Sequence, residues 1–334
     1  MIKTIVFQGD SHTWGEGVGG EFLLGSPACA ADMRMFSFSP PSYVNQLRRL
    51  VGEATGSSAY DVDFSELNLL YTGRADARPT RECLRIGKKP FVLRGKFDFL
   101  LLTFRKGAGA GTAGVYIDGE KKAEIGLEGE EGENTASGFV RLPLFCEDAD
   151  HEICVKAESG APLLRRVEMH SGRYACVNSG VGSRSTAEYL ESYWEDYVAA
   201  MKPDIIVLEC SAINDWLRNI TPEEYRQSVG RLIAEAKALT DKLVIHDVFP
   251  IMGELSSPVS GVPYPDMIRQ VRLAAEKAGT ADSFVSVFDA ANEAMAALNE
   301  RDRAMRYFHD NWHPNEHGYK IYADTVWEKL KDKL

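Results

Sequence analysis

Residues 204–249, DIIVLECSAINDWLRNITPEEYRQSVGRLIAEAKALTDKLVIHDVF, decide the fold. DIIVLEC (204–210) is an apolar run of the kind found in a strand buried on both faces. A helix follows over Pro222–Leu239. Thr221 suits its cap and Pro222 its first turn, where an amide donor is not needed. KLVIHDVF (242–249) is a second buried strand. Strand, helix and strand in this order make a crossover between parallel neighbours.

The alternation extends in both directions. Downstream, the spacing predicts a helix over Asp266–Ala278, a strand at SFVSVF (283–288), a helix over Ala290–Arg306 and a last helix from Pro314 to Lys333. Upstream, YACVNSG (174–180) reads as a strand and Ser185–Met201 as a helix capped by Ser185 or Thr186. IKTIVFQ (2–8) is a strand ending at Gly9, and Tyr43–Val51 has helical spacing at Val44, Leu47 and Leu50. Such alternation predicts an α/β fold with a doubly wound parallel sheet.

Between these parts the texture changes. KPFVLRG, FDFLLLTFRK, AGVYIDGEK, SGFVRLPLF, HEICVKAES and PLLRRVEMH follow one another at about ten-residue spacing, separated by turn residues. This predicts an all-β sandwich or jelly roll, with a tight hairpin at Tyr116–Glu120. The expected organisation is one α/β domain from 1–58 and 173–334, interrupted by a β-domain at 59–172.

Composition narrows the function. The chain has 334 residues, 44% of them hydrophobic and 26% charged, which fits a folded protein rather than a disordered one. A net charge of −11 without a Lys/Arg run argues against nucleic acid or an anionic membrane as partner. No window approaches the ~20 apolar residues of a membrane span. The N-terminus reads as a strand rather than a signal peptide. The six cysteines are scattered without a CxxC, which predicts reduced thiols and a cytoplasmic location.

In a doubly wound sheet, ligands bind beyond the carboxyl ends of the strands. Four segments fall there: Gly9-Asp10-Ser11, Asn178 to Ser183, Ser211 to Asp215, and Asp310-Asn311-Trp312-His313. They hold a hydroxyl, amide donors, and an imidazole with a carboxylate. A serine needs a base to act as a nucleophile. His313 can take and return that proton, and Asp310 can orient the imidazole. The Ser11 and Ser183 amides and the Asn214 side chain are candidate oxyanion donors.

These segments resemble the blocks of the GDSL/SGNH hydrolase superfamily. Gly9-Asp10-Ser11 matches its first block, Asn214-Asp215 the core of its third and Asp310-x-x-His313 its fourth. In the second block Asn178 fits, but Ser183 stands where glycine is usual, and Gly182 is one position early. Ala212 replaces the glycine of the third block. The resemblance covers about residues 1–55 and 173–334 and implies a flavodoxin-like serine esterase without cofactor. It implies Ser11, His313 and Asp310 as catalytic residues and a small-molecule or carbohydrate ester, most simply an acetyl ester, as substrate. A lipid or short-chain acyl hydrolase is the alternative within the class. A glycan-binding protein on a degenerate hydrolase scaffold is the alternative outside it.

Other features are weaker. His12, Trp14, Gly182, Trp216 and Trp312 flank the motifs and are candidate pocket residues. His309, His313 and His317 recur every four residues, but Pro314 suits a helix start, so the first two share no helical face and no metal is expected. His246 reads as a core histidine. The patterns Gly15-x-Gly17-x-x-Gly20 and Gly109-x-Gly111-x-x-Gly114 do not join a strand directly to a helix, so neither predicts a nucleotide site.

Overall fold

The computed structural model describes residues 1–15, 42–64, 83–129, 138–252 and 261–334. Gly17, Gly20 and Cys29 lie outside the described residues. The chain opens with β1 (Lys3–Gly9), α1 (Ser11–Trp14) and α2 (Tyr43–Thr55). Among the described residues seven strands follow: β2 (Ser58–Asp63), β3 (Leu84–Arg85), β4 (Phe91–Arg105), β5 (Thr112–Ile117), β6 (Glu120–Gly126), β7 (Phe139–Ser159) and β8 (Leu163–Ser171). Next come β9 (Tyr174–Gly180), α3 (Thr186–Ser192), α4 (Trp194–Tyr197), β10 (Ile205–Glu209), α5 (Ala212–Leu217) and α6 (Pro222–Leu239). The last part holds β11 (Leu243–His246), α7 (Tyr264–Lys277), β12 (Phe284–Val285), α8 (Val287–Met295), α9 (Glu300–Tyr307) and α10 (Glu316–Leu330).

Two compact units result. One holds Gly52–Cys176 with Met1–Lys3; the other holds Val177–Leu334 and, of the described residues before it, 4–15 and 42–51.

The second unit is built on a sheet ordered β12-β11-β10-β1-β9. The β1/β10, β10/β11 and β11/β12 pairs are parallel. Ile5, Val6 and Phe7 of β1 and Ile205 to Leu208 of β10 are fully buried, as apolar side chains on both faces of a central strand require. Val181 N donates to Gly9 O and Cys210 N to His246 O, so the turns after β9, β1, β10 and β11 gather at one end of the sheet.

Several boundaries differ from the sequence reading, each for a local reason. SFVSVF yields only the two residues of β12, because the Asp247 carboxylate accepts from Ser286 Oγ at 2.6 Å and Phe288 N at 2.9 Å and draws the chain into α8. The helix expected over Ala290–Arg306 is two, with Asn299 capping the second through Asp302 N. Ser185 caps α3 in a capping box with Glu188, and the helix expected to reach Met201 is interrupted at Tyr193. Pro314 is not a first-turn residue of the final helix: Asn315 is the cap, accepting from His317 N and Gly318 N.

The first unit is antiparallel, ordered β2-β8-β4-β7-β5-β6 with β3 beside β8. Runs that read as separate strands are continuous: β4 has 15 residues and β7 has 21. A bulge between Phe97 and Phe99 changes which alternate side chains of β4 face the core. Before it Phe91, Leu93 and Phe97 pack there; after it Leu100, Leu102 and Phe104 do. The expected hairpin is present, with Asp118 and Gly119 at φ of 52° and 81°.

Burial pushes the Asp247 carboxyl up to about 7, although Ser286 and Phe288 donate to it. An acid whose folded value exceeds its unfolded value, ~4, contributes stability that is complete below ~4. That contribution is lost as pH rises through about 7. Asp247→Asn is therefore expected to lose less melting temperature than the parent protein between acid and mildly alkaline pH. Equal losses in thermal melts across that range would contradict this.

Candidate active site

The turn after β1 is held in place by close packing. A Cβ on Gly9 would fall 2.1 Å from Thr13 Oγ1, and one on Gly180 would fall 2.3 Å from Trp14 N. Only glycine at both positions lets α1 settle against the ends of β9 and β10. The Asp10 side chain caps α1 by accepting from His12 N at 3.0 Å. Asn178 donates to Thr13 O at 2.9 Å and accepts from Gly180 N at 2.9 Å, so it ties the β9 turn to the β1 turn. Ser11 emerges here, 5% exposed.

The segment ahead of α10 meets it. Asp310 Oδ1 accepts from Trp312 N and His313 N, both at 2.7 Å, which folds the loop around the carboxylate. His313 Nδ1 lies 2.9 Å from Asp310 Oδ2, and His313 Nε2 lies 2.9 Å from Ser11 Oγ. Burial works against a charge on Asp310, but hydrogen bonding to His313, its charge, and the two backbone amides outweigh it. The carboxyl is held well below the usual carboxylate range, and stays an acceptor for the imidazole across neutral pH. A proton can pass from Ser11 Oγ to His313 Nε2 along the hydrogen bond already present.

The structure brings Asn214 to the same turn. Its Nδ2 donates to Asp10 Oδ2 at 2.6 Å, which fixes the amide plane and leaves its second N–H for another acceptor. Ser183 adopts a φ of 58°, the left-handed region that glycine enters freely. Arg218 spans the two loops: it donates to Ser183 O at 2.7 Å and Asn214 O at 3.1 Å, and pairs with Glu188 at 3.1 Å. Asp215 adds a second tie, accepting from Thr186 N at 2.9 Å and Thr186 Oγ1 at 3.1 Å.

Beneath Ser11 lies a buried polar cluster that sequence reasoning missed in part. Ser211 Oγ donates to Asp10 Oδ2, and Thr13 Oγ1 donates to Glu209 Oε2. Thr13 Oγ1 is also 2.5 Å from Tyr43 Oη. Burial, with Asp10 alongside, pushes the Glu209 carboxyl well above its usual range. Burial alone would raise Asp10 as well, but hydrogen bonds from His12, Glu209 and Ser211 and the His12 charge hold it well below. The available signal was a glutamate at the end of the apolar run DIIVLEC, a costly place for a charge.

Among the described residues, Asp10, His12 and Glu209 have the side chains and proximity to hold a cation, with candidate ligand atoms within 4.8 Å of one another. Both Asp10 oxygens and Glu209 Oε2 are already engaged by protein donors, so hydrogen bonding accounts for the arrangement.

The candidate pocket residues fall differently. His12, Trp14, Gly182 and Trp216 are buried; Trp216 Nε1 donates to Val262 O at 2.8 Å. Trp312 is half-buried beside His313. His246 is buried, and burial lowers its pKa to about 4, which keeps it neutral.

The left-handed backbone at Ser183 carries a prediction. Ser183→Val should lower the melting temperature, since a β-branched residue at positive φ is strained by about 1–2 kcal/mol. Ser183→Gly should not lower it. Equal melting temperatures for the two variants would contradict the assignment.

Comparison with known proteins adds independent information. Residues 155–321 match the GDSL-like Lipase/Acylhydrolase family, a span that includes Asn178, Asn214, Asp310 and His313 and excludes Ser11. No curated protein matches the chain. Among solved structures, an acetylxylan esterase from Geobacillus stearothermophilus is similar at 24% identity and a TM-score of 0.41, covering 47% of this chain and 73% of that one. LAE5, an alpha/beta hydrolase enzyme from the metagenome of Lake Arreo, Spain, is similar at 19% identity and a TM-score of 0.41, covering 48% and 75%. The chain belongs to the GDSL-like lipase/acylhydrolase family and is a carboxylic ester hydrolase.

Proposed function

We propose that the protein hydrolyses a small acyl ester, an acetyl ester in the simplest case, on a small molecule or carbohydrate through an acyl-serine intermediate. Ser11 Oγ attacks the ester carbonyl while His313 Nε2 takes its proton. The negative oxygen of the tetrahedral intermediate is received by the Ser11 and Ser183 backbone amides and the free N–H of Asn214. Collapse of the intermediate breaks the ester C–O bond, and the proton on His313 goes to the leaving alcohol. His313 then deprotonates a water that attacks the acyl-serine, giving the carboxylic acid and restoring Ser11. Asp310 holds the imidazole in the required tautomer throughout.

The observation that carries this reading is the 2.9 Å approach of His313 Nε2 to Ser11 Oγ, with Asp310 on the other ring nitrogen. A nucleophile only 5% exposed favours a short acyl group over a long chain. The β unit is read as a jelly-roll-type insert, supported by the single core that both halves of β4 and β7 share. Scattered cysteines without a CxxC favour a reducing, cytoplasmic setting. No helix among the described residues is long and apolar enough to cross a membrane.

Ser11→Ala should abolish hydrolysis of p-nitrophenyl acetate and labelling by a fluorophosphonate, with the fold intact by circular dichroism. Unchanged turnover would overturn the proposal. Asp310→Asn should lower kcat by about 10⁴-fold, the cost of the wrong imidazole tautomer, with KM little changed. A chain-length series of acyl esters alongside acetylated xylose and sialic acid should favour acetyl. A preference for long chains would point to a lipid substrate.

A further inference from the structure

His12 follows Ser11 and is 1% exposed. Its ring lies between the two segments that must meet for the reaction. His12 Nδ1 is 3.2 Å from Asp10 Oδ1, on the turn after β1. His12 Nε2 is 3.0 Å from Trp312 O, the carbonyl just before His313. A carbonyl oxygen only accepts, so Nε2 carries a proton and donates it. The rings of His12 and His313 are 5.4 Å apart.

We propose that His12 is a positioning residue: it clamps the Asp310–His313 loop to the nucleophile turn through its Nε2–H···O=C bond to Trp312. This rests on the assignment of Ser11 and His313 above. The 309–313 segment is also held by its own Asp310 turn, the His309 N bond to His313 O, and Met252 N donating to Asn311 O. Without His12, the turn around Asp310 could keep its shape and still shift as a body away from Ser11.

The surroundings favour a fixed ring. Asp10 and Glu209 face it from the turns after β1 and β10, Glu209 at 3.8 Å, and Tyr322 of α10 lies 6.2 Å away between ring centres. Asp10 therefore serves both partners of the reaction, holding the Asn214 amide with one oxygen and the His12 ring with the other. The buried clamp sets the geometry of an exposed loop.

Two substitutions separate the two ring bonds. Glutamine can place an amide nitrogen where Nε2 stands, whereas asparagine reaches only the Nδ1 position. His12→Gln is expected to keep kcat within roughly tenfold of the parent on p-nitrophenyl acetate. His12→Asn should lose about 10²-fold in kcat with KM little changed, the scale of a misplacement near 1 Å. Equal kcat for the two variants, or a larger loss for glutamine, would overturn the clamp. Crystal structures of both variants provide a readout independent of activity. The Ser11–His313 contact should stay within hydrogen-bond reach in His12→Gln and open beyond it in His12→Asn. An unchanged contact in His12→Asn would refute the clamp even if the parent proved to hydrolyse no ester. Absent turnover in the parent would instead refute the catalytic assignment.

Discussion

The hydrogen bond between His313 Nε2 and Ser11 Oγ joins residues 302 positions apart, and the α/β unit is arranged so that it can form. Its partners come from opposite ends of the chain and neither is held by its own segment alone. Ser11 rides on a four-residue helix at the end of a central strand, and His313 on a loop folded around the Asp310 carboxylate. A parallel sheet supplies the common end at which such segments collect.

Asp10 links the pieces. Its carboxylate caps α1, accepts a hydrogen bond from Ser211, orients Asn214 and faces His12. Burying such a charge is costly unless it is hydrogen-bonded on every side. Glu209, pushed toward its protonated form nearby, spares the interior a second negative charge. The arrangement binds the Ser11 turn, the Asn214 side chain and the Asp310–His313 loop into one network, so a change at one of these should be felt at the others.

Much of the α/β unit was legible because its strands are apolar on both faces and its helices carry caps. Pro222–Leu239 is a helix with the bounds read from Thr221 and Pro222. Where the reading failed, a side chain distant in sequence had taken over: Asp247 shortens the strand at SFVSVF by bonding to Ser286 and Phe288. In the β unit, a register shift at Asp98, opposite Cys146 to Asp148 of β7, lies where two apparent strands join, and periodicity alone cannot distinguish such a shift from a turn. Asp310–His313 follows α9 rather than a strand, but Gly9–Ser11, Asn178–Ser183 and Ser211–Asp215 could be located by their place at strand ends. The network beneath them could not, because Thr13, Tyr43 and Glu209 meet only in space. His12 and Trp216 adjoin motifs, and their burial is a fact that adjacency in sequence does not reveal.

The central claim is that Ser11 forms a covalent bond with the acyl group, and trapping that bond tests it most directly. The protein would be mixed with p-nitrophenyl acetate, quenched in acid within the first turnovers, and its peptides read by mass spectrometry. The account predicts one added acetyl group on the peptide carrying Ser11, and none there in a Ser11→Ala protein. An acetyl group on another residue, formed at the rate of turnover, would contradict it.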